Sequence, residues 1–219
     1  MKRIWRDNGL SLVLFALFLL FWAGQAVTGW LDESEEQRDH GAPAPTFVQY
    51  LGSGSFVEAT AENWESEFLQ MFAYVLFTVF LYQRGSAESK SPDEPEEVDR
   101  DPRLSRKPDA PGPVKAGGWR LRLYEHSLSL AFLALFIVSF VCHALGGLAS
   151  FNEEQRLHGE AEVTLLEFLT HARFWFQSFQ NWQSEFLAIW SMVILTIFLR
   201  QRGSPESKPV DSPHSQTGE

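Results

Sequence analysis

The sequence predicts an all-α, polytopic membrane protein, with four transmembrane helices arranged as two tandem, parallel-related hairpins and short interfacial helices in the outer loops. Three observations predict it. Charged residues are excluded from four stretches of the 219-residue chain and crowded into the rest. Residues 8–90 and 126–208 align at a constant offset of 118 positions without a gap, and 34 of the 83 aligned positions are identical. Of the 18 Lys and Arg residues, 15 fall in segments 1–9, 83–126 and 200–219. A fixed period marks one structural unit used twice, and each copy holds two apolar runs.

The first span is expected over about 10–28. Leu10–Val27 carries no charge, long enough for a helical crossing. A basic start and the small residues Ala23-Gly24-Gln25-Ala26 imitate a cleavable signal. The same segment recurs at about 128–148 in mid-chain, so a retained helix is the better reading for both. The second and fourth spans are expected over about 63–82 and 181–200. Their charge-free cores are short, but measured from Trp64 and Trp182 they reach roughly 27–28 Å, enough to cross with little tilt. Trp5 and Arg6 before the first span, and Trp119, Arg120, Arg122 and Tyr124 before the third, suit headgroup anchors.

Lys and Arg favour the cytoplasmic side. Both termini and the 83–126 connection are therefore expected inside, with the acidic loops 29–62 and 147–182 outside, in a cytoplasmic membrane. An even number of spans per copy gives both copies one orientation, related by an axis along the membrane normal. The domain plan is then a first repeat at 1–90, a linker at 91–118, a second repeat at 119–208 and a tail at 209–219. Linker and tail are rich in Pro and charge and poor in large apolar residues, so both are expected to be disordered. The outer loops carry apolar clusters such as Phe47, Val48, Tyr50 and Leu51, which suit short amphipathic helices at the membrane surface. The lone Cys142 excludes an intramolecular disulfide.

Three motifs recur. Glu-Glu-Gln-Arg-x-His-Gly places Glu36 four residues before His40, and Glu154 four before His158. On a helix each pair shares a face and could ligate a metal. Capping and local pairing explain the motif as well. Without thiolates or a His-rich cluster, no metal or cofactor is expected. Asn-Trp-x-Ser-Glu-Phe suggests Asn63 and Asn181 as N-caps, with Glu67 and Glu185 about one turn inside the second and fourth spans. Gln25 and His143 occupy equivalent positions near the outer ends of the first and third spans. Gln25, Glu67, His143 and Glu185 are thus the candidate intramembrane polar cluster, with Gln25 expected against Glu67 and His143 against Glu185. Gln-Arg-Gly-Ser-x-Glu-Ser-Lys closes each copy, where Gly85 and Gly203 suit a helix end.

With these motifs at Asn63–Phe68, Asn181–Phe186, Gln201–Lys208 and the Glu-Glu-Gln blocks, the chain resembles an uncharacterised family of small bacterial integral membrane proteins, a domain of unknown function. That resemblance implies a membrane protein and supplies no activity, cofactor or catalytic residue. No Walker loop, Rossmann fingerprint, nucleophile elbow or Cys pair appears, so no enzyme activity is predicted. The expectation is a non-enzymatic interaction or structural component of the envelope. Its partners would be the lipid bilayer and a membrane protein or a second copy, not nucleic acid. The alternative is a small transporter or channel using the polar cluster.

Overall fold

The computed structural model describes residues 2–218, the side chain of Lys2 excepted, and these are all-helical. The long helices are α1 (Lys2–Asp39), α3 (Gly54–Phe77), α6 (Ser127–Leu157) and α8 (Ala172–Phe198). Single turns α2 (Phe47–Leu51) and α7 (Leu165–Phe168) sit in the loops that follow α1 and α6. Between α3 and α6 come 3-10 turns at Glu97–Asp99 and Pro102–Leu104, then α4 (Gly112–Ala116) and α5 (Gly118–Glu125). The linker and tail expected to lack order therefore carry local turns and hydrogen bonds in this structure.

By length and composition α1 and α6 could cross a membrane. α3 and α8 are also long, but α3 carries Glu58, Glu62, Glu65 and Glu67, and α8 carries Arg173 and Glu185. Asn8 (φ −136°, ψ 15°) breaks α1 between its basic leader and its apolar run. Its amide donates to the Ile4 carbonyl, and Ser11 Oγ donates to the Asn8 carbonyl. At the equivalent place His126 (φ −112°, ψ 9°) separates α5 from α6, and Ser129 donates to its carbonyl.

The long helices start earlier and end later than the apolar runs. α3 and α8 begin nine residues before Asn63 and Asn181, so neither Asn is an N-cap. Asn181 instead donates its amide to the Gln177 carbonyl one turn back. Nothing between Gly54 and Asn63, or between Ala172 and Asn181, breaks a helix, and buried Phe56 and Phe174 anchor these first turns. Packing outweighs the capping preference of Asn. At the other end, α1 and α6 continue through the Glu-Glu-Gln-Arg motif. Each stops at a glycine in the left-handed region, Gly41 (φ 72°) and Gly159 (φ 71°). The Gly41 and Ala42 amides reach back to the Arg38 and Gln37 carbonyls, and Gly159 and Glu160 do the same to Arg156 and Gln155. This closes the orphan carbonyls of both helices in one pattern.

The chain divides into two compact units. The first comprises Met1–Ala61 and Val141–Phe174. Its loops follow one plan in both copies. Thr46 accepts from the Gln49 amide while Gln49 Oε1 accepts from the Thr46 amide, and Thr164 and Glu167 repeat the capping box. The first helix of each copy pins the loop at equivalent positions. Trp30 Nε1 donates to the Pro45 carbonyl at 2.8 Å. Asn152 accepts from the Val163 amide and donates to its carbonyl. Pro45 has no N–H to satisfy, so an indole donor suffices; Val163 has one, and the side chain there is an amide. Each turn then drives an aromatic ring onto a glycine of the preceding helix, Tyr50 onto Gly29 and Phe168 onto Gly147. Tyr50 packs with Ala26, Phe56, Trp22 and Trp30. Burial, reinforced by Glu33 and Asp32, pushes its hydroxyl pKa up. Phe168 is flanked by Phe151 and Phe174.

In the same unit the start of α3 lies directly against α6. A β-carbon on Gly54 would fall 2.5 Å from the Ser150 nitrogen, and one on Gly146 would fall 2.6 Å from the Glu58 nitrogen. Glycine here allows backbone-to-backbone approach. The second unit comprises Glu62–Phe140 and Trp175–Glu219. There Trp182 Nε1 donates to Glu65 Oε1 at 2.9 Å, Gln70 donates to the Glu185 carbonyl, and the ends of α3 and α8 lead into the two Gln-Arg-Gly-Ser motifs.

Candidate functional site

The first unit brings the two Glu-Glu-Gln-Arg-x-His-Gly motifs together. Because α1 and α6 stay helical through the motif, its polar side chains project in register from two helix ends rather than from flexible loops. Gln37 is buried, and its amide donates to Glu33 Oε1 at 3.2 Å and to Glu153 Oε1 at 3.4 Å, the latter joining the motifs directly. Arg173, from the first turn of α8, pairs with Glu154 and lies 5.8 Å above the Phe151 ring. Glu33, Glu36, Gln37, Glu153, Glu154 and Arg173 line a cavity of about 70 Å³. That holds a few waters but no organic substrate, since ligand pockets usually exceed about 300 Å³. With four carboxylates against one guanidinium in its lining, the cavity favours a cation or water over an anion.

His40 and His158 meet edge to face, their ring centroids 5.7 Å apart. In each, Nδ1 lies 2.9 Å from the carbonyl oxygen four residues back, that of Glu36 or Glu154. A carbonyl only accepts, so Nδ1 carries a proton and donates in both rings. Glu36, His40, Glu154 and His158, the residues that could ligate a metal by spacing, are not gathered into one ligand set. The histidines engage the glutamate backbones, and the Glu154 carboxylate is committed to Arg173. Among the described residues no three His, Cys, Asp or Glu side chains are grouped to hold a metal.

The candidate intramembrane residues divide between the units. In the first unit Gln25 donates to Thr60 Oγ1 at 3.5 Å, alongside Trp22 Nε1 at 3.4 Å. His143 is fully buried and stacks on Phe174 at 4.7 Å. In the second unit Glu67 is exposed and Glu185 partly buried. The fully buried carboxylate is Glu65, held by Trp182. Glu65 aligns with Gln183 and Arg173 with Ser55, so neither charge is repeated in the other copy, and the pattern of the repeat does not point to them.

The terminal motif folds alike in both copies. Ser89 Oγ accepts from the Gln83 amide and Ser86 Oγ from the Glu88 amide; Ser207 and Ser204 do the same for Gln201 and Glu206. These serines hold a closed turn. All 219 residues match a family described as Domain of unknown function (DUF6766). The chain belongs to that family. No curated protein and no solved structure matches this DUF6766 member. The DUF6766 match supplies no activity, so the chemistry of the chain rests on the geometry above.

Proposed function

We propose that this DUF6766 protein is a non-enzymatic, multi-pass component of a bacterial cytoplasmic membrane. In this reading α1, α3, α6 and α8 all cross, residues 1–90 and 119–208 form two like-oriented hairpins joined by 91–118, and the outer motif junction clamps the hairpins together. The observation that carries the reading is the exposure of α1 and α6: only 6% and 17% of their most apolar stretches are buried. Leu10, Leu14, Phe15 and Phe21 on α1, and Ile137, Val138 and Val141 on α6, are open. An apolar surface of that extent needs lipid or a partner to cover it. Val48 and Leu166, at equivalent positions of α2 and α7, are each 78% exposed. They suit insertion at the outer interface.

The topology is tested by thiol labelling from outside sealed cells, in a chain with Cys142 replaced. Cysteines placed at Gly41 and Gly159 react and one at Ala110 does not; labelling at Ala110 overturns the orientation. A second reading, a transporter or channel, is favoured by one observation: Glu65 is a fully buried carboxylate in a helix assigned to the membrane. Reconstituted vesicles decide between the readings. A cation or proton flux lost in Glu65→Gln or in Glu67→Gln plus Glu185→Gln establishes transport, and no flux above empty vesicles leaves the scaffold.

A further inference from the structure

The two Gln-Arg-Gly-Ser-x-Glu-Ser-Lys motifs share a sequence and a turn, yet the second unit treats them differently. Lys208, the last residue of the second motif, is 1% exposed. Its ammonium donates to the Gly85 carbonyl of the first motif at 2.5 Å, and to the Gln216, His214 and Pro213 carbonyls at 2.8, 3.2 and 3.3 Å. The tail closes over the same point. Thr217 Oγ1 accepts from the Gly85 amide at 2.8 Å, and the Gly218 amide donates to the Ser86 carbonyl at 3.0 Å. Ser86 is fully buried, its hydroxyl 3.0 Å from Thr196 Oγ1 on α8. Gly85 (φ 88°) could not be another residue, since a β-carbon there would lie 2.5 Å from the His214 carbonyl oxygen. Gly203 (φ 83°), its counterpart, has open space around it. The lysine of the first motif is engaged elsewhere, by Asp99 at 2.5 Å.

We propose that Pro213–Gly218 is a latch: closed on Lys208, it seals the backbone at Gly85–Ser86, so that the first motif is withheld while the equivalent Gly203–Ser204 bend of the second stays open. The ammonium is its fastener. Its three tail carbonyls come from six residues of chain that has no helix or strand of its own; a Gln216-to-Pro213 turn bond shapes the segment, and the ammonium is the one donor that all three carbonyls share. The latch bonds end on the turn that follows α3, on the tail itself and, through His214 Nδ1 at 3.0 Å, on the Ile197 carbonyl in the last turn of α8. Opening breaks these side-chain and carbonyl contacts and leaves the backbone bonds within α3 and α8 intact. A closed latch and an open one are thus two states of a short terminal strap, the class of element that opens at low cost. Opening presents a Gly-Ser bend on each copy where the closed form presents one.

The repeat provides an internal control for the test. A protease needs several residues of extended backbone, so cleavage reports local opening. Full-length protein in mild detergent is treated with trypsin, and cleavage after Arg84 and Arg202 is followed by mass spectrometry. In the native chain Arg202–Gly203 is cut at least tenfold faster than Arg84–Gly85. Lys208→Met and Thr217→Val, and a chain ending at residue 209, each bring the two rates within about threefold by speeding cleavage after Arg84 alone. Arg84 also pairs with Asp93 at 2.6 Å, which could shield it independently. Asp93→Asn therefore keeps the tenfold ratio if the latch is responsible. Equal rates in the native chain overturn the proposal. So does a ratio that survives all three latch variants, or one that collapses in Asp93→Asn. Unchanged cleavage after Arg202 shows that the variants remain folded.

Discussion

Glu167 and Gln49 hold equivalent places in the two capping boxes and differ by one titratable proton. Backbone and hydroxyl donors of Thr164 both reach Glu167 Oε2, at 2.7 and 2.8 Å, and they hold the carboxyl below its usual pKa. A folded-state value below the unfolded one stabilises above the unfolded pKa of about 4.3, and the benefit is lost as pH falls through the lower folded value. Amide protection in α7 is therefore expected to fall in acid while protection in α2 does not, and Glu167→Gln should make α7 behave like α2. Hydrogen exchange on the two loops across pH 3–6 measures this; a parallel decline in both loops would remove the carboxylate from the explanation. Gly147 is the other informative single position. The Phe168 ring end lies about 2.9 Å from where its β-carbon would be. Gly147→Val should evict the ring and destabilise the protein by about 2–4 kcal/mol, in the range of lost buried aromatics. Chemical denaturation in detergent gives the value, and a loss under 1 kcal/mol contradicts the packing.

Among the elements, the signals that sequence displays best are those carried by local chemistry. The glycines ending α1 and α6, the Thr-x-x-Gln and Thr-x-x-Glu boxes and the two loop turns all depend on residues within five positions of one another. The helix starts were not legible. Asn63 and Asn181 have cap chemistry, and only the anchoring of Phe56 and Phe174 carries α3 and α8 nine residues further back. The polar pairings were also hidden. Arg173 with Glu154, Trp182 with Glu65 and Gln25 with Thr60 join residues that are not neighbours in sequence, and in each pair at least one residue differs from its counterpart in the other copy. Comparing the copies finds shared local geometry and gives no signal for contacts made by residues that differ. Capping gives an element-scale expectation. Thr46→Ala and Thr164→Ala should each cost about 1 kcal/mol, the usual worth of such a cap. The first indole fluorescence change on heating should come at lower temperature in Thr46→Ala, because α2 seats Tyr50 beside Trp22 and Trp30. An unaltered transition would show that the loop is held by its rings alone.

At the scale of the molecule, the helical class and the two long apolar helices α1 and α6 were legible, because runs of uncharged residues are read without any contact map. The motif junction was not, since helices α1 and α6 had to outrun their apolar runs before Gln37 could reach Glu153. That junction and the Gly54–Gly146 approach tie the copies together independently of residues 91–118. Cutting an engineered protease site at Ala110 should therefore leave fragments that co-purify and co-migrate in mild detergent. Separation of the fragments would mean that the linker itself holds them.

The Gly54–Gly146 crossing also limits what the duplication can have left interchangeable. Gly54 belongs to the first copy and faces Gly146, Ala149 and Ser150 of the second. The residues at those three positions of the first copy are Thr28, Leu31 and Asp32. Two first copies brought together in the same way would set Thr28 where Gly146 stands, and a β-carbon there would lie 2.6 Å from the Glu58 nitrogen; Leu31 and Asp32 would replace the smaller Ala149 and Ser150. The contact as it stands needs Gly146 from the second copy, which the first copy does not supply. A chain of residues 1–90 should fail to self-associate yet capture residues 119–208 when the two are co-expressed.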